Sequence, residues 1–166
     1  LHRRRPWVIL KWAQSLDGKI AARTFDSKWI SDESCRAHAH RVRGLMDAII
    51  VGRHTVETDD PELTARHGHP RRVATRIVLD ANLRTPRSAK LAASATAVPT
   101  WILCKSNAPA DRRHILEDAG CRVFSIPFDG EKLALDGVLN LLGRHRMTNV
   151  LVEGGGELLG SFADLR

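Results

Sequence analysis

Short apolar runs alternate with amphipathic stretches along this chain. Residues 7–12 (WVILKW) read as a strand, broken by the turn-like Ser15-Leu16-Asp17-Gly18. Residues 48–51 (AIIV), 76–80 (RIVLD), 100–104 (TWILC), 123–126 and 150–152 are further strand candidates. Ser31 is placed to N-cap a helix beginning at Asp32, with Asp32 and Glu33 in its first turn. Cys35, Ala39, Val42 and Met46 recur at helical spacing and predict its buried stripe, while Arg36, His40 and Arg43 fall on another face. Pro109 can open a helix that runs to Ala119, with Gly120 as its C-cap, and residues 133–145 read as another. Residues 55–75, rich in Asp, Pro and His, read as a long loop of the kind that often carries function. The alternation predicts an α/β domain: a central, mostly parallel sheet with helices on both faces.

The segment of residues 149–162 (NVLVEGGGELLGSF) adds chemistry to this outline. Its apolar run ends in the carboxylate Glu153, three glycines follow, and a helix-like stretch carries Leu158, Leu159 and Phe162. Glycine lets the backbone approach a ligand, and the amides that open a helix have no partner inside it, which suits phosphate. A carboxylate at the strand end faces the same crevice. A tight connection and nothing more is the alternative. Gly154, Gly156 and Gly160 do not fit the dinucleotide fingerprint, being one residue too long and near the wrong end of the chain.

Composition narrows the classes. At 166 residues, 43% hydrophobic and 27% charged, the chain fits one globular domain. No apolar run is long enough to span a bilayer, and the basic start lacks a signal-peptide core. Cys35, Cys104 and Cys121 lie far apart with no CxxC, which points to small buried core residues in a reducing cytoplasm. The net charge of +7 points to nucleic acid or to small phosphorylated ligands. Single-strand readers interleave aromatics with charge. Here aromatics are 5% and tyrosine is absent, so small anions are favoured and most arginines read as solvated surface.

Several side chains could serve such a ligand. Thr55 offers a hydroxyl, and Asp59 is free to face the ligand where Asp60-Pro61 makes a turn. Arg43 and Arg66 could converge on one phosphate if the helix and the loop meet. Lys11 interrupts an apolar strand and needs an anion, a crevice or an open sheet edge. No metal-ligand motif, GxSxG elbow or P-loop is present, so no metal site is expected.

Taken together, KWAQSLDGKIA (residues 11–21), SKWIS (27–31), RVRGLMDAIIVGRHTVETDDPELTAR (41–66), RIVLD (76–80) and LVEGGGEL (151–158) resemble the reductase domain of the bifunctional riboflavin biosynthesis deaminase–reductase. The resemblance runs over essentially the whole chain. It implies a dihydrofolate-reductase-like fold, a cytoplasmic homodimer and NADPH-dependent reduction of 5-amino-6-(5-phosphoribosylamino)uracil. Position by position it implies that Ser27, Arg43, Leu63, Arg66 and Glu153 hold the phosphorylated pyrimidine substrate. Ala13, Trp29, Thr55 and Asp59 are implied to hold the cofactor, and Gly155, Gly156, Glu157, Leu158, Leu159, Gly160 and Ser161 its phosphates. Lys11 is the implied catalytic group at the substrate's ribose, oriented by Asp59 or Glu153.

The chain also departs from the family pattern. Ala81 stands where a serine is common near the cofactor, no deaminase motifs are present, and the final strands beyond Arg166 are missing. The expectation is therefore a single reductase domain over residues 1–166 that lacks its last strands. The rival readings are a sister reductase acting on the undeaminated 2,5-diamino pyrimidinone and, more remotely, a basic nucleic-acid-binding module. Folate is a poor fit, having no use for phosphate-binding Ser27, Arg43 and Arg66.

Overall fold

The computed structural model describes residues 5–24, 27, 30–66, 70–130 and 132–165. In chain order the elements are β1 (Trp7–Lys11), α1 (Glu33–Arg43), β2 (Ala48–Gly52), α2 (Arg53–Asp59), β3 (Thr75–Leu79), α3 (Lys90–Ala93) and β4 (Thr100–Cys104). Then come α4 (Ala110–Asp118), β5 (Arg122–Ser125), β6 (Phe128–Asp129), β7 (Lys132–Leu133), α5 (Leu135–Arg144), β8 (Asn149–Glu153) and α6 (Gly156–Ala163).

Six strands form one parallel sheet in the order β1-β8-β2-β3-β4-β5, and β6 and β7 make a separate antiparallel pair. The central strands are apolar on both faces because helices cover both. Ile49, Val51, Val78, Ile102 and Leu151 point to one core with Val56 of α2, Leu91 and Ala92 of α3, and Leu116 of α4; Val42 of α1 packs against it. Ala48, Ile50, Ile77, Trp101, Leu103, Val150 and Val152 point to the other core, with Val138, Leu139 and Leu142 of α5 and Leu159 and Phe162 of α6. The α/β architecture expected from the sequence is the one observed.

Four local expectations need correction. Asp32, not Ser31, caps α1, because its carboxylate accepts the Cys35 amide at 2.8 Å and the Ser34 hydroxyl at 3.1 Å. Cys35 is exposed on that first turn, whereas Cys104 and Cys121 are buried. Residues 53–59, expected in part as loop, form α2, a helix too short to show periodicity, with only Val56 buried. Arg76 is no surface charge. At 1% exposed it is among the most deeply buried residues of the sheet.

Five oxygen acceptors surround the Arg76 guanidinium. Nε donates to Thr100 Oγ1 at 3.0 Å, Nη1 to Ser94 Oγ at 2.9 Å and to Glu62 O at 3.2 Å. Nη2 donates to Leu91 O and Val98 O, both at 2.9 Å, and to Thr100 Oγ1 at 2.6 Å. Burial pushes its pKa below the ordinary value, against the opposing influence of Cys121 and Glu62. The side chain thus ties β3 to α3, β4 and the loop before β3.

Candidate active site

Parallel strands present all their carboxyl ends on one side, and ligands of open α/β sheets bind there. The heads of β1 and β8 are neighbours in register, with Lys11 beside Glu153. Glu153 is 6% exposed, so its charge needs compensation inside the protein. Arg43, in the last turn of α1, supplies a bidentate pair: Nε donates to Oε1 at 2.8 Å and Nη2 to Oε2 at 2.7 Å. Lys11 Nζ lies 4.0 Å from Oε2. Burial pushes the Glu153 carboxyl up, but the Arg43 hydrogen bonds and charge, with Lys11 and His40 behind them, win, and its pKa lies below the ordinary value.

The face of α1 that carries Arg43 also carries His40, one turn earlier and buried. His40 Nδ1 lies 2.9 Å from Thr64 O, which also accepts Arg43 Nη1 at 3.4 Å. The Arg66 amide points at the same His40 nitrogen from 3.3 Å. So α1 grips the loop that follows α2. In that loop Asp60 and Leu63 adopt φ of +39° and +53°. Positive φ is an outlier for a buried leucine and marks an over-determined segment. Asp60 is structural: it caps α2 and accepts the Lys90 amide at 2.8 Å.

The glycine turn completes the site. Gly154 has φ +133°, and a Cβ there would sit 2.8 Å from Thr55 Oγ1. A Cβ on Gly156 would sit 2.9 Å from Ile20 Cδ1. The turn must be glycine so that α2 and the loop after β1 can close against it. Gly155 caps α6 without any side-chain hydrogen bond, so the helix opens toward the cleft with its backbone.

These parts border one cleft of about 1370 Å³. Lys11, Ala13, Ser27, Arg43, Thr55, Asp59, Leu63 and Glu153 line it, as do Gly155, Gly156, Glu157, Leu158 and Ser161. Leu159 belongs to the core, and Gly160 does not border the cleft. Helical periodicity separates them from their neighbours. Nor does the Arg66 side chain reach the cleft; its guanidinium pairs with Glu62 at 3.0 Å on the surface. The helix and the loop do meet, yet Arg43 and Arg66 do not converge, because the buried Glu153 carboxylate takes Arg43. Trp29 lies outside the described residues.

The sequence reading missed His40, Arg84 and Asp80. His40 was legible as the residue one turn before Arg43. Arg84 and Asp80 line the cleft from the head of β3 and its following turn. Among the described residues no group of His, Cys, Asp or Glu is arranged to hold a metal ion, and no helix is long and apolar enough to cross a membrane.

Residues 6–165 match the family model of the RibD C-terminal domain. The chain belongs to that family. Riboflavin biosynthesis protein RibD of Bacillus amyloliquefaciens is 37% identical over 157 residues, covering 95% of this chain and 42% of the relative. The Aquifex aeolicus RibD is 37% identical over 158 residues, with the same coverage. The chain therefore spans about two fifths of the length of these curated relatives. Among solved structures, the Thermotoga maritima diaminohydroxyphosphoribosylaminopyrimidine deaminase/5-amino-6-(5-phosphoribosylamino)uracil reductase superposes with a TM-score of 0.78 at 28% identity, over 98% of this chain and 43% of that one. The Saccharomyces cerevisiae riboflavin biosynthesis reductase Rib7 shares the fold, with a TM-score of 0.75 at 20% identity, over 96% of this chain and 67% of that one. The RibD C-terminal domain fold is thus dihydrofolate-reductase-like, as the sequence motifs imply.

Proposed function

We propose that this chain reduces 5-amino-6-(5-phosphoribosylamino)uracil with NADPH, opening the ribosyl group and reducing it to ribityl. The observation that carries the reading is the pairing of Lys11 with the buried Glu153–Arg43 ion pair, directly beside a glycine turn that opens a helix. Its support from kinship is membership of the RibD C-terminal domain family. The cleft exceeds the ~300–1,000 Å³ usual for one small ligand, leaving room for a dinucleotide and a phosphorylated pyrimidine together. A dinucleotide fits the residues present. The α6 N-terminus, capped by no side chain, borders the cleft and would receive its pyrophosphate.

When bound, the nicotinamide supplies the hydride that adds to C1′ of the sugar. This chain's residues prepare that carbon. Lys11 Nζ protonates the ring oxygen as the C1′–O bond breaks and the exocyclic nitrogen, keeping its N–H, forms an iminium that hydride addition turns into the amine. Glu153 holds Lys11 at the head of β1 with its carboxylate at 4.0 Å, while Arg43 keeps that carboxylate ionised. Leu63 and Ala13 give the cleft an apolar wall, and Asp59 borders it from the end of α2. The substrate phosphate falls to Ser27 and to the positive charge that remains when Lys11 and Arg43 share one carboxylate. That excess is the reason a phosphorylated sugar suits this end of the cleft.

NADPH oxidation measured with the deaminated and the undeaminated pyrimidine tests the reading. Turnover on the deaminated compound is expected; turnover only on the undeaminated one would overturn the choice of substrate. Lys11→Ala should lower kcat by roughly a hundredfold or more while leaving NADPH affinity within about twofold. Near-normal turnover in that variant would remove Lys11 from the chemistry.

A further inference from the structure

His40 is the buried imidazole of α1, 8% exposed, and the proton transfer at Lys11 makes no use of it. It does not border the cleft itself. Two residues beside it do: Arg43, one turn further along α1, and Leu63, next in sequence to its partner Thr64.

One ring nitrogen of His40 faces two partners. Nδ1 lies 2.9 Å from Thr64 O and 3.3 Å from the Arg66 amide nitrogen. The carbonyl needs a proton on Nδ1, and the amide needs its lone pair, so one of the two bonds forms at a time. The shorter distance favours Nδ1–H donating to Thr64 O. In either tautomer the ring binds the same short stretch, residues 64–66.

That stretch adjoins a strained residue. Leu63, 4% exposed, is kept at φ +53°. A leucine stays there only where its surroundings over-determine it. Its side chain joins the core of Val56 and Val78 and also borders the cleft. Before Leu63 the loop is fixed by Asp60, which accepts the Lys90 amide at 2.8 Å, and by Glu62 O, which accepts Arg76 Nη1 at 3.2 Å. After Leu63, the hydrogen bonds that join residues 64–66 to other elements, among the described residues, involve α1 alone, through His40 and Arg43. The Arg43 contact is the longer, at 3.4 Å, and Nε and Nη2 of that arginine are taken by Glu153. His40 is the nearer anchor.

We propose that His40 is a positioning residue for the reduction: by binding residues 64–66 to α1, it sets Leu63 at the pyrimidine end of the cleft. The proposal rests on the reading of that end as the substrate's site. Two substitutions separate hydrogen bonding from bulk and charge. His40→Leu fills the space without a polar atom. His40→Asn sets a side-chain amide where Nδ1 stands and carries no charge, so it also discounts the influence of His40 on Glu153.

The test combines steady-state kinetics with calorimetric titration of the pyrimidine in the absence of cofactor. His40→Leu should raise the KM and the Kd for the phosphorylated pyrimidine roughly five- to tenfold, the loss of one buried hydrogen bond. Its KM for NADPH should stay within about twofold, and His40→Asn should recover most of the pyrimidine affinity. Should the Leu variant fail to fold, His40→Ala carries the same comparison on a good helix former. Leu142→Ala opens a cavity in the opposite core, so it should lower the melting temperature and leave the pyrimidine KM unchanged. An unchanged pyrimidine KM in His40→Leu, an equal rise for NADPH, an Asn variant as weak as the Leu one, or the same rise in Leu142→Ala would each overturn the assignment and leave the reductase reading intact. Wild-type protein that neither binds nor reduces the pyrimidine would sink the substrate reading, and this assignment with it.

Discussion

Arg43 and Arg76 are both mostly withdrawn from solvent, and they solve that problem in opposite ways. Arg76 meets neutral oxygens alone: three main-chain carbonyls and two hydroxyls, drawn from three stretches of chain. Nothing in that cage can be exchanged for a ligand. Arg43 meets a carboxylate at the mouth of a cleft, with a second cation 4.0 Å beyond it. Its hydrogen bonds can be shared with an incoming anion, because Glu153 has another partner in Lys11. One arginine fastens the fold. The other keeps a charge balance that a substrate can tip.

The largest effect expected from this contrast is on stability. Arg76→Met strands several buried carbonyls at once and should cost on the order of 4 kcal/mol or more, read by denaturant unfolding. A loss below about 1 kcal/mol would break the comparison. No second substitution should rescue it fully, since three of the five partners are main-chain carbonyls. Next, Arg43→Met leaves the buried Glu153 with only Lys11 at 4.0 Å, at a cost of roughly 3 kcal/mol. Adding Glu153→Gln should recover most of that stability and none of the activity. A double variant as unstable as the single one would show that Arg43 acts on the fold as Arg76 does.

A smaller effect should appear in acid. The folded-state pKa of Glu153 is depressed, so its contribution is complete above the unfolded value of about 4.3 and is lost as pH falls through the lower folded value. Glu153→Gln should therefore flatten the stability profile below that pH and leave its slope at neutral pH unchanged. The smallest effect belongs to Arg66. Its pair with Glu62 is half exposed, and Arg66→Ala should change stability by less than about 1 kcal/mol. A pronounced rise in the KM for the phosphorylated substrate in that variant would show that the arginine swings into the cleft when ligand arrives.

The sheet was legible in the sequence because residues 48–51, 101–104 and 150–152 are apolar at every position, which only a strand covered on both faces requires. The glycine turn was legible too, since few other segments tolerate three glycines after a carboxylate. What stayed hidden was pairing. Arg43 and Glu153 are 110 residues apart, and no local pattern links them. Arg76 looked like one more charge in a basic stretch, because its cage is mostly carbonyls, which sequence does not mark. The seven residues of α2 were too few to show a period, and β6 and β7 have two residues each. The net charge of +7 left a nucleic-acid surface open beside the favoured small anions, and Arg5, Arg53, Arg66, Arg72 and Arg113 each sit on a carboxylate.

The carbonyl of Thr64 lies against two residues of a single helix face, three apart: Arg43 Nη1 donates to it at 3.4 Å, and His40 Nδ1 lies 2.9 Å away. A loop gripped in this way has no independent opening of its own. Its amides should exchange hydrogen with solvent only when α1 does, as one cooperative unit. The wall of the cleft that holds Leu63 is thereby as slow to fluctuate as a helix, although by its dihedral angles it is a loop.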